Sequence, residues 1–186
     1  LVTGVQTCAL PICVNIKTAF SSATDLSSFP ENSFDIVYAA NLLHHVDIAQ
    51  CIGEIRRVLK PGGRMATWDP VQYNPVINVY RRMASSLRTE DEHPLRANDV
   101  RLIKETFGSV EVRFFWLSAL VLFLRFFIID RISPSEGRYW KIVIERRREH
   151  RRLLRTCHTL DRLLLRLIPP AKWLCWNIAI IAQKGE

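Results

Sequence analysis

Two short stretches decide the fold of this chain: Asn32-Ser-Phe-Asp-Ile-Val-Tyr-Ala-Ala-Asn-Leu-Leu-His-His-Val46 and Glu54-Ile-Arg-Arg-Val-Leu-Lys-Pro-Gly-Gly-Arg64. The first contains the run Phe34–Ala40, which is apolar except at Asp35 and is rich in β-branched and aromatic residues. A run of this kind predicts a short strand that is buried on both faces, as in a parallel sheet. The second contains a Pro-Gly-Gly signal, which predicts the end of one element and the start of the next.

The residues between and after these stretches complete a strand–helix–strand unit. An apolar residue returns every three or four positions, as on one face of a helix. The residues of this face are Ile48, Ile52, Ile55 and Leu59. Pro61-Gly62-Gly63 predicts the end of the helix, and Arg64–Asp69 then has the composition of a strand. Two strands joined by a helix through short connections are expected to be parallel neighbours.

Further elements are predicted on both sides of this unit. The additional predicted strands are Val14–Phe20, Ser109–Leu117 and Trp173–Lys184. Asn98 or Asp99 can cap a helix that continues to Phe107. Residues 119–168 are helical in character, which places a long helical segment before the last strand.

Composition sets the class of protein. The chain has 186 residues, of which 48% are hydrophobic and 24% charged, so it is long enough for one globular domain with a real core. The five cysteines are scattered without a Cys-x-x-Cys pair, so we expect reduced thiols and no metal site. The net charge of +8 is carried by residues 101–186, and the basic character is therefore a property of that half.

The first residues have no hydrophobic period. Residues 2–12, Val-Thr-Gly-Val-Gln-Thr-Cys-Ala-Leu-Pro-Ile, resemble the translation of a common sequencing-library adapter. A secretory signal is the alternative, but the stretch has neither a basic start nor a long apolar run. We therefore expect residues 1–13 to be an artefactual leader.

The ordered set of the Phe34 strand, the Arg-Val-Leu-Lys-Pro-Gly-Gly turn and the strand that ends at Asp69-Pro70 resembles class I S-adenosylmethionine-dependent methyltransferases of type 11. The resemblance covers roughly residues 14–114 and the closing strand near 176–184. It implies an α/β, Rossmann-like methyltransferase sheet that lacks its first two strands, with a helical basic insertion before the last strand. The implied division is a partial core, residues 14–118 and 171–186, and an insertion or lid, residues 119–170.

The resemblance also implies the cofactor, S-adenosyl-L-methionine. Members of the family carry a glycine-rich loop after the first strand and an acidic residue after the second, and neither occurs in this sequence. The parent protein is thus expected to be a methyltransferase, whereas this chain is expected to fold poorly, to expose apolar strand faces and to bind the cofactor weakly.

Particular residues are assigned to the cofactor by their place in this resemblance. Ser22 and Ala23 match the loop after the third strand, which contacts adenine, although a serine replaces the usual acid. Asn41 directly follows the fourth strand and is expected near the methionine portion of the cofactor. An ordinary polar loop and a helix-entry residue are the alternative interpretations.

The candidate catalytic residue is His45, since histidine is the natural base near neutral pH. Two adjacent histidines are expected to point in different directions, so at most one of His44 and His45 should face the site. The candidate substrate-binding residues are Asp69, Tyr73, Asn74, Arg82 and Arg88. Glu92 and His93 belong to the same polar run, which can also be a solvated loop.

The second half contains a basic amphipathic helix. Its predicted apolar stripe consists of Leu153, Leu154, Cys157, Leu160, Leu164 and Leu167. It is expected either to pack on the core as a lid or to attach a cytoplasmic protein peripherally to anionic lipid on the inner membrane face. Attachment would fit a lipid-like acceptor rather than another small molecule, and interleaved aliphatic residues argue against nucleic acid. A non-catalytic module with a membrane-surface helix and a nicotinamide-dependent oxidoreductase are the alternative functions.

Overall fold

A computed structural model describes residues 18–84, 92–134, 139–146 and 148–185. Its centre is a four-stranded sheet with the order β1-β2-β4-β3. The strands are β1 (Phe34–Tyr38), β2 (Leu59–Pro70), β3 (Ser109–Phe115) and β4 (Asn177–Gln183). The helices are α1 (Ile48–Val58), α2 (Pro75–Met83), α3 (Ala97–Phe107), α4 (Val121–Ile128), α5 (Tyr139–Glu145) and α6 (Arg151–Leu167).

Strand direction confirms the expected unit. β1 and β2 are parallel neighbours joined by α1, as the sequence predicted. β4 lies between β2 and β3 and is antiparallel to both, so β3 runs in the same direction as β2. The carboxyl ends of β1, β2 and β3 therefore lie at the same end of the sheet, together with the start of β4.

The Pro-Gly-Gly segment does not end the helix, contrary to the sequence interpretation. α1 already stops at Val58, where Leu59 becomes extended, and β2 runs through Pro61-Gly62-Gly63. The register with β1 jumps from Leu59 to Arg64, so this segment forms an irregularity in β2. Gly62 has a φ of +73°, and this is the conformation that favours glycine there.

The prediction that β1 is buried on both faces is also wrong. Ile36 is 68% exposed and Tyr38 75% exposed, whereas Val37 packs on the core. Within the described part of the chain β1 lies at the edge of the sheet, so β2 is its neighbour on one side and half of its apolar residues stay in solvent. The exposed apolar strand face expected from the sequence is thereby confirmed.

Other element boundaries differ slightly from expectation. Of the strand predicted at 14–20, residues 14–17 lie outside the described residues, and 18–20 are not in a strand. α3 begins after Arg96, and Asp99 accepts a hydrogen bond from the Arg96 N–H from inside the first turn, so neither Asn98 nor Asp99 is the capping position. β3 ends at Phe115, two residues before its predicted end at Leu117.

Two apolar clusters hold the elements together. The larger one packs α1 and α3 against the sheet, with Ile52, Leu59, Ile103 and Ile180 almost fully buried. The smaller one joins α2, α4 and α5 around Trp176.

The predicted helical insertion is divided into three helices, α4 to α6. No helix in the described ranges has both the length and the apolar character that crossing a bilayer requires.

Candidate functional site

A cavity of about 460 Å³ opens where the carboxyl ends of the strands meet. Its volume falls within the range of about 300–1,000 Å³ that is usual for ligand pockets. The lining residues are Asn41, His44, His45, Trp68, Pro70, Ile77, Tyr80, Arg81, Ala84, Glu92, Trp116, Ile144, Trp176 and Asn177. In open α/β sheets, ligands bind beyond the carboxyl ends of the strands.

His44 is fixed in this cavity by Asp69. The His44 Nδ1 atom lies 2.8 Å from Asp69 Oδ1, and the His44 backbone N–H donates to the same oxygen at 3.3 Å. Asp69 is fully buried, and its other oxygen accepts a hydrogen bond from the Thr67 hydroxyl. The carboxylate therefore lies behind the histidine and orients it.

His45 and Glu92 complete the polar wall next to His44. The two histidines are consecutive residues of the 3₁₀ turn Leu43–His45, and their ring centroids are 4.0 Å apart. Burial, followed by the charge of His44, lowers the pKa of His45 below its ordinary value of 6.5. His45 is accordingly neutral at pH 7, the form that accepts a proton or a metal ion. Both histidines line the cavity, whereas the sequence predicted one at most.

Another part of the lining is aromatic. Trp116 contacts Trp68 at a centroid distance of 5.9 Å and Trp176 at 5.2 Å. Tyr80 and Ile77 of α2 extend this wall into the smaller apolar cluster. Such a surface suits the flat or apolar part of a ligand.

Asn41 joins the site through its backbone conformation. It has a φ of +53°, and its N–H donates to the Trp68 carbonyl at 2.7 Å. This hydrogen bond ties the loop after β1 to the end of β2. Asn41 thus lines the cavity beyond the end of β1, and its contact with the methionine portion of the cofactor stays a prediction.

The other two candidate cofactor residues lie outside the cavity lining. Ser22 bridges to Asp25 in a tight turn, and its hydroxyl is 2.9 Å from that of Thr24. Ala23 packs on the larger apolar cluster. Their adenine contact stays a prediction.

Most of the candidate substrate residues have structural partners instead. Asn74 caps α2 by accepting from the Ile77 N–H at 3.0 Å, and its amide donates to the Leu174 carbonyl. The Tyr73 hydroxyl accepts from the Ala97 N–H at 3.0 Å. Tyr73, Asn74 and Arg82 do not line the cavity, and Arg88 lies outside the described residues.

The structure adds residues that the sequence did not single out. Arg81 takes the place next to the cavity that was expected for Arg82, because one residue turns the α2 helix by about 100°. Trp68, Trp116 and Trp176 come from three separate strands or strand ends, so their common wall has no sequence signal. Nearness to the end of a predicted strand could have identified Trp68 and Trp116 singly, but not their contact.

Comparisons with known proteins agree with this geometry. Residues 6–67 match the model of a family described as methyltransferase domain. Demethylmenaquinone methyltransferase from Listeria welshimeri is 40% identical over 74 residues, which are 37% of this chain and 31% of that protein. The uncharacterized protein YafE of Escherichia coli is 36% identical over 76 residues, 40% of this chain and 36% of its own. The chain thus spans about a third of the length of these curated relatives.

Solved structures resemble the chain over a longer range. A SAM-dependent methyltransferase from Archaeoglobus fulgidus has a TM-score of 0.50 at 17% identity, over 89% of this chain and 66% of that one. A SAM-dependent methyltransferase from Thermotoga maritima, described as a possible histamine N-methyltransferase, has a TM-score of 0.51 at 13% identity, over 89% and 62%. The fold is the predicted Rossmann-like α/β sheet. In both sequence and fold, the chain resembles S-adenosylmethionine-dependent methyltransferases, as the sequence indicated.

Proposed function

We propose that the protein transfers a methyl group from S-adenosylmethionine to a small, apolar and lipid-like acceptor. The observation that carries this proposal is the cavity at the strand ends, which His44, His45 and Asn41 line together with a group of aromatic side chains. The family match over residues 6–67 and the shared fold support the reaction class.

The part of the cavity beyond β1 is suited to binding the cofactor. S-adenosylmethionine supplies an activated sulfonium methyl group when it is bound. Asn41 stands at the crevice beyond β1 with its backbone fixed by Trp68, a place suited to the polar end of such a ligand. Donor activation leaves positioning and removal of a proton to the protein.

The base that this geometry offers is a histidine. His45 lines the cavity and is neutral at pH 7, because burial lowers its pKa. His44 is oriented by its hydrogen bond to Asp69. Either ring can accept the proton of an acceptor hydroxyl, and the carboxylate behind His44 stabilises the charge that results there.

The aromatic wall indicates the acceptor class. Trp68, Trp116, Trp176 and Tyr80 provide ring faces and edges but few hydrogen-bonding groups. A phenolic or quinol ring with an apolar tail matches such a surface better than a free amino acid does. The similar protein from Listeria welshimeri is, by its name, a demethylmenaquinone methyltransferase, and demethylmenaquinone is a molecule of this type.

A labelled-methyl assay tests the proposal. The protein is incubated with methyl-labelled S-adenosylmethionine and with a quinol, a simple phenol or a soluble primary amine. Transfer to the quinol or phenol is expected, with a decrease of about 100-fold or more for His45→Ala. Transfer confined to the amine would overturn the acceptor class. Because weak cofactor binding is expected for this chain, both the assay and a calorimetric titration use S-adenosylmethionine at high concentration, and failure to bind there would favour a non-catalytic module.

An exposed surface of α6 fits delivery of such an acceptor from a membrane. The helix docks through buried Cys157 and Asp161 and half-buried Leu154 and Leu164, so the predicted lid packing is only partial. Leu160, Leu163 and Leu167 are 43%, 54% and 69% exposed. The predicted apolar stripe of α6 is thus partly docked on the rest of the protein and partly exposed to solvent.

Charge selects the partner of these leucines. At about 100° per residue, the exposed leucines lie between the docked face and a face of exposed arginines. The arginines are Arg151, Arg152, Arg155, Arg162 and Arg166. An apolar strip beside a basic strip favours an anionic lipid surface, which accepts leucines in its interface and attracts arginines to its headgroups.

Vesicle sedimentation tests this part of the proposal. Binding is expected with phosphatidylglycerol in the vesicles, and it should weaken with salt and by more than about tenfold in Leu160→Ser/Leu163→Ser. Val79→Ser removes an exposed apolar side chain from α2 and is the matched control. Salt-insensitive vesicle binding would overturn the role of the arginines, and loss of dimerisation instead of vesicle binding in the leucine variant would assign the surface to a second copy of the chain.

A further inference from the structure

We propose that His44, His45 and Glu92 form a binding site for a divalent transition-metal ion, with Zn²⁺ as the best match. One ligand atom from each of these residues lies within 4.8 Å of the other two. All three side chains line the same cavity. The cysteine spacing in the sequence predicted no metal site, and no cysteine takes part in this one.

Two segments of the chain bring the three side chains together. The histidines belong to the 3₁₀ turn after β1, and Glu92 belongs to the loop before α3. The His93 N–H donates to the His44 carbonyl at 2.8 Å, so the backbones of these segments are joined beside the cluster. This backbone hydrogen bond therefore helps to hold the three side chains of the cluster near one another.

Asp69 prepares His44 to act as a ligand. Its carboxylate holds the Nδ1 atom at 2.8 Å, which places the proton on Nδ1 and leaves the Nε2 lone pair for a ligand. Thr67 fixes the carboxylate in turn. A carboxylate behind a ligating histidine is the usual support of a metal site, and its loss typically weakens metal binding by about 10–100-fold.

The donor set selects the kind of ion. Two imidazole nitrogens and one carboxylate suit zinc and related transition metals, whereas Mg²⁺ and Ca²⁺ prefer oxygen ligands. Ligands about 2.1 Å from a tetrahedral zinc ion are about 3.4 Å apart, so small rotations must draw these side chains together. Glu92 with Asp69 behind His44 offsets the charge of a divalent cation.

Three protein ligands leave a fourth position for water or for an oxygen of the methyl acceptor. That role rests on the proposed function, because it requires a hydroxyl acceptor in the cavity. With the ion bound, His44 and His45 act as ligands instead of as the base: the ion lowers the pKa of the acceptor hydroxyl, the proton leaves to solvent, and the oxygen can attack the sulfonium methyl group. Binding of the ion itself rests only on the geometry of the cluster.

Cobalt absorption measures the site directly, without S-adenosylmethionine. Co²⁺ is added to the metal-free protein, and the visible bands of nitrogen-ligated cobalt are followed before Zn²⁺ is added in competition. We expect one ion per chain, displacement by Zn²⁺, and affinities lowered by at least tenfold in Glu92→Gln, His45→Asn and Asp69→Asn. The ion should also raise the Tm of the wild type more than that of these variants.

His93→Gln is the matched control, since it removes an exposed histidine next to Glu92 and leaves the three ligands in place. Its cobalt spectrum should equal that of the wild type. Absent bands, or bands unchanged by both Glu92→Gln and His45→Asn in variants that retain wild-type circular dichroism, would overturn the metal site. Calorimetric titration with S-adenosylmethionine tests the proposed function separately, so the two failures are distinguishable.

Discussion

His44 Nδ1 lies 2.8 Å from Asp69 Oδ1, although the two residues are 25 positions apart in the chain. His44 follows β1, and Asp69 stands next to the last residue of β2. Parallel pairing of these strands brings their ends together. The sequence pointed to Asp69 as a substrate-facing group, but full burial makes it the support of a histidine that faces the cavity.

The first prediction concerns the proton of His44. Asp69 accepts a hydrogen bond at Nδ1, so the neutral ring should carry its proton on that atom. In Asp69→Asn the amide can donate to Nδ1 instead, and the Nε2–H tautomer should become dominant. Nitrogen chemical shifts of labelled histidine report this exchange, and Asp35→Asn, at an exposed carboxylate, should leave the His44 signals unchanged.

The second prediction concerns the irregularity in β2. A Cβ atom at Gly63 would lie 2.8 Å from the Lys60 carbonyl oxygen and 3.2 Å from that of Asp35, both backbone atoms. Gly63→Ala should therefore lower the free energy of unfolding by about 1–3 kcal/mol. Urea denaturation measures the change.

Gly53→Ala is the control for that experiment. Gly53 lies in α1, and beyond its chain neighbours and the backbone of its own helix no atom lies within 4 Å of the added Cβ, so alanine should stabilise the helix by about 0.5–1 kcal/mol. Equal effects of the two substitutions would contradict the backbone contact at Gly63.

The third prediction concerns the docking of α6. The buried Asp161 carboxylate accepts hydrogen bonds from the backbone N–H groups of Leu117 at 3.2 Å and Ser118 at 2.8 Å. Asp161→Ala leaves both donors unpaired and should destabilise the protein by about 1–3 kcal/mol. Thermal unfolding checks this, and the exposed neighbour in Arg162→Ala should change stability by less than about 0.5 kcal/mol. A neutral Asp161→Ala would show that α6 is held by its apolar contacts alone.

The fourth prediction concerns two thiols. Burial raises the pKa of Cys51 to about 11 and that of Cys175 to about 12, with nearby carboxylates adding to both shifts. Because only the thiolate reacts, iodoacetamide at pH 8 should modify neither residue in the folded protein. Mass spectrometry should find both modified after unfolding in guanidinium. Raising the pH to 9.5 should not restore reactivity while the fold persists, and rapid native labelling would show that the two sites open.

The sequence by itself determined the α/β class, the parallel pair β1 and β2, the α1 face and the closing strand. Each depends on apolar periodicity within a few neighbouring residues, which is legible along the chain. It also placed Asn41, His44 and His45 beyond a strand end, since that position follows from counting past an apolar run.

Only the tertiary structure decided which polar residues share a site. Asp69 and Asn74 both follow from the sequence as candidates, yet one supports His44 and the other caps α2. Glu92 lies beside the two histidines, and three tryptophans from different strands or strand ends contact one another, because the sheet order places distant segments side by side. Exposure of Leu160 and Leu167 was equally undecided, since an amphipathic stripe fixes a helix face but not the surface that covers it.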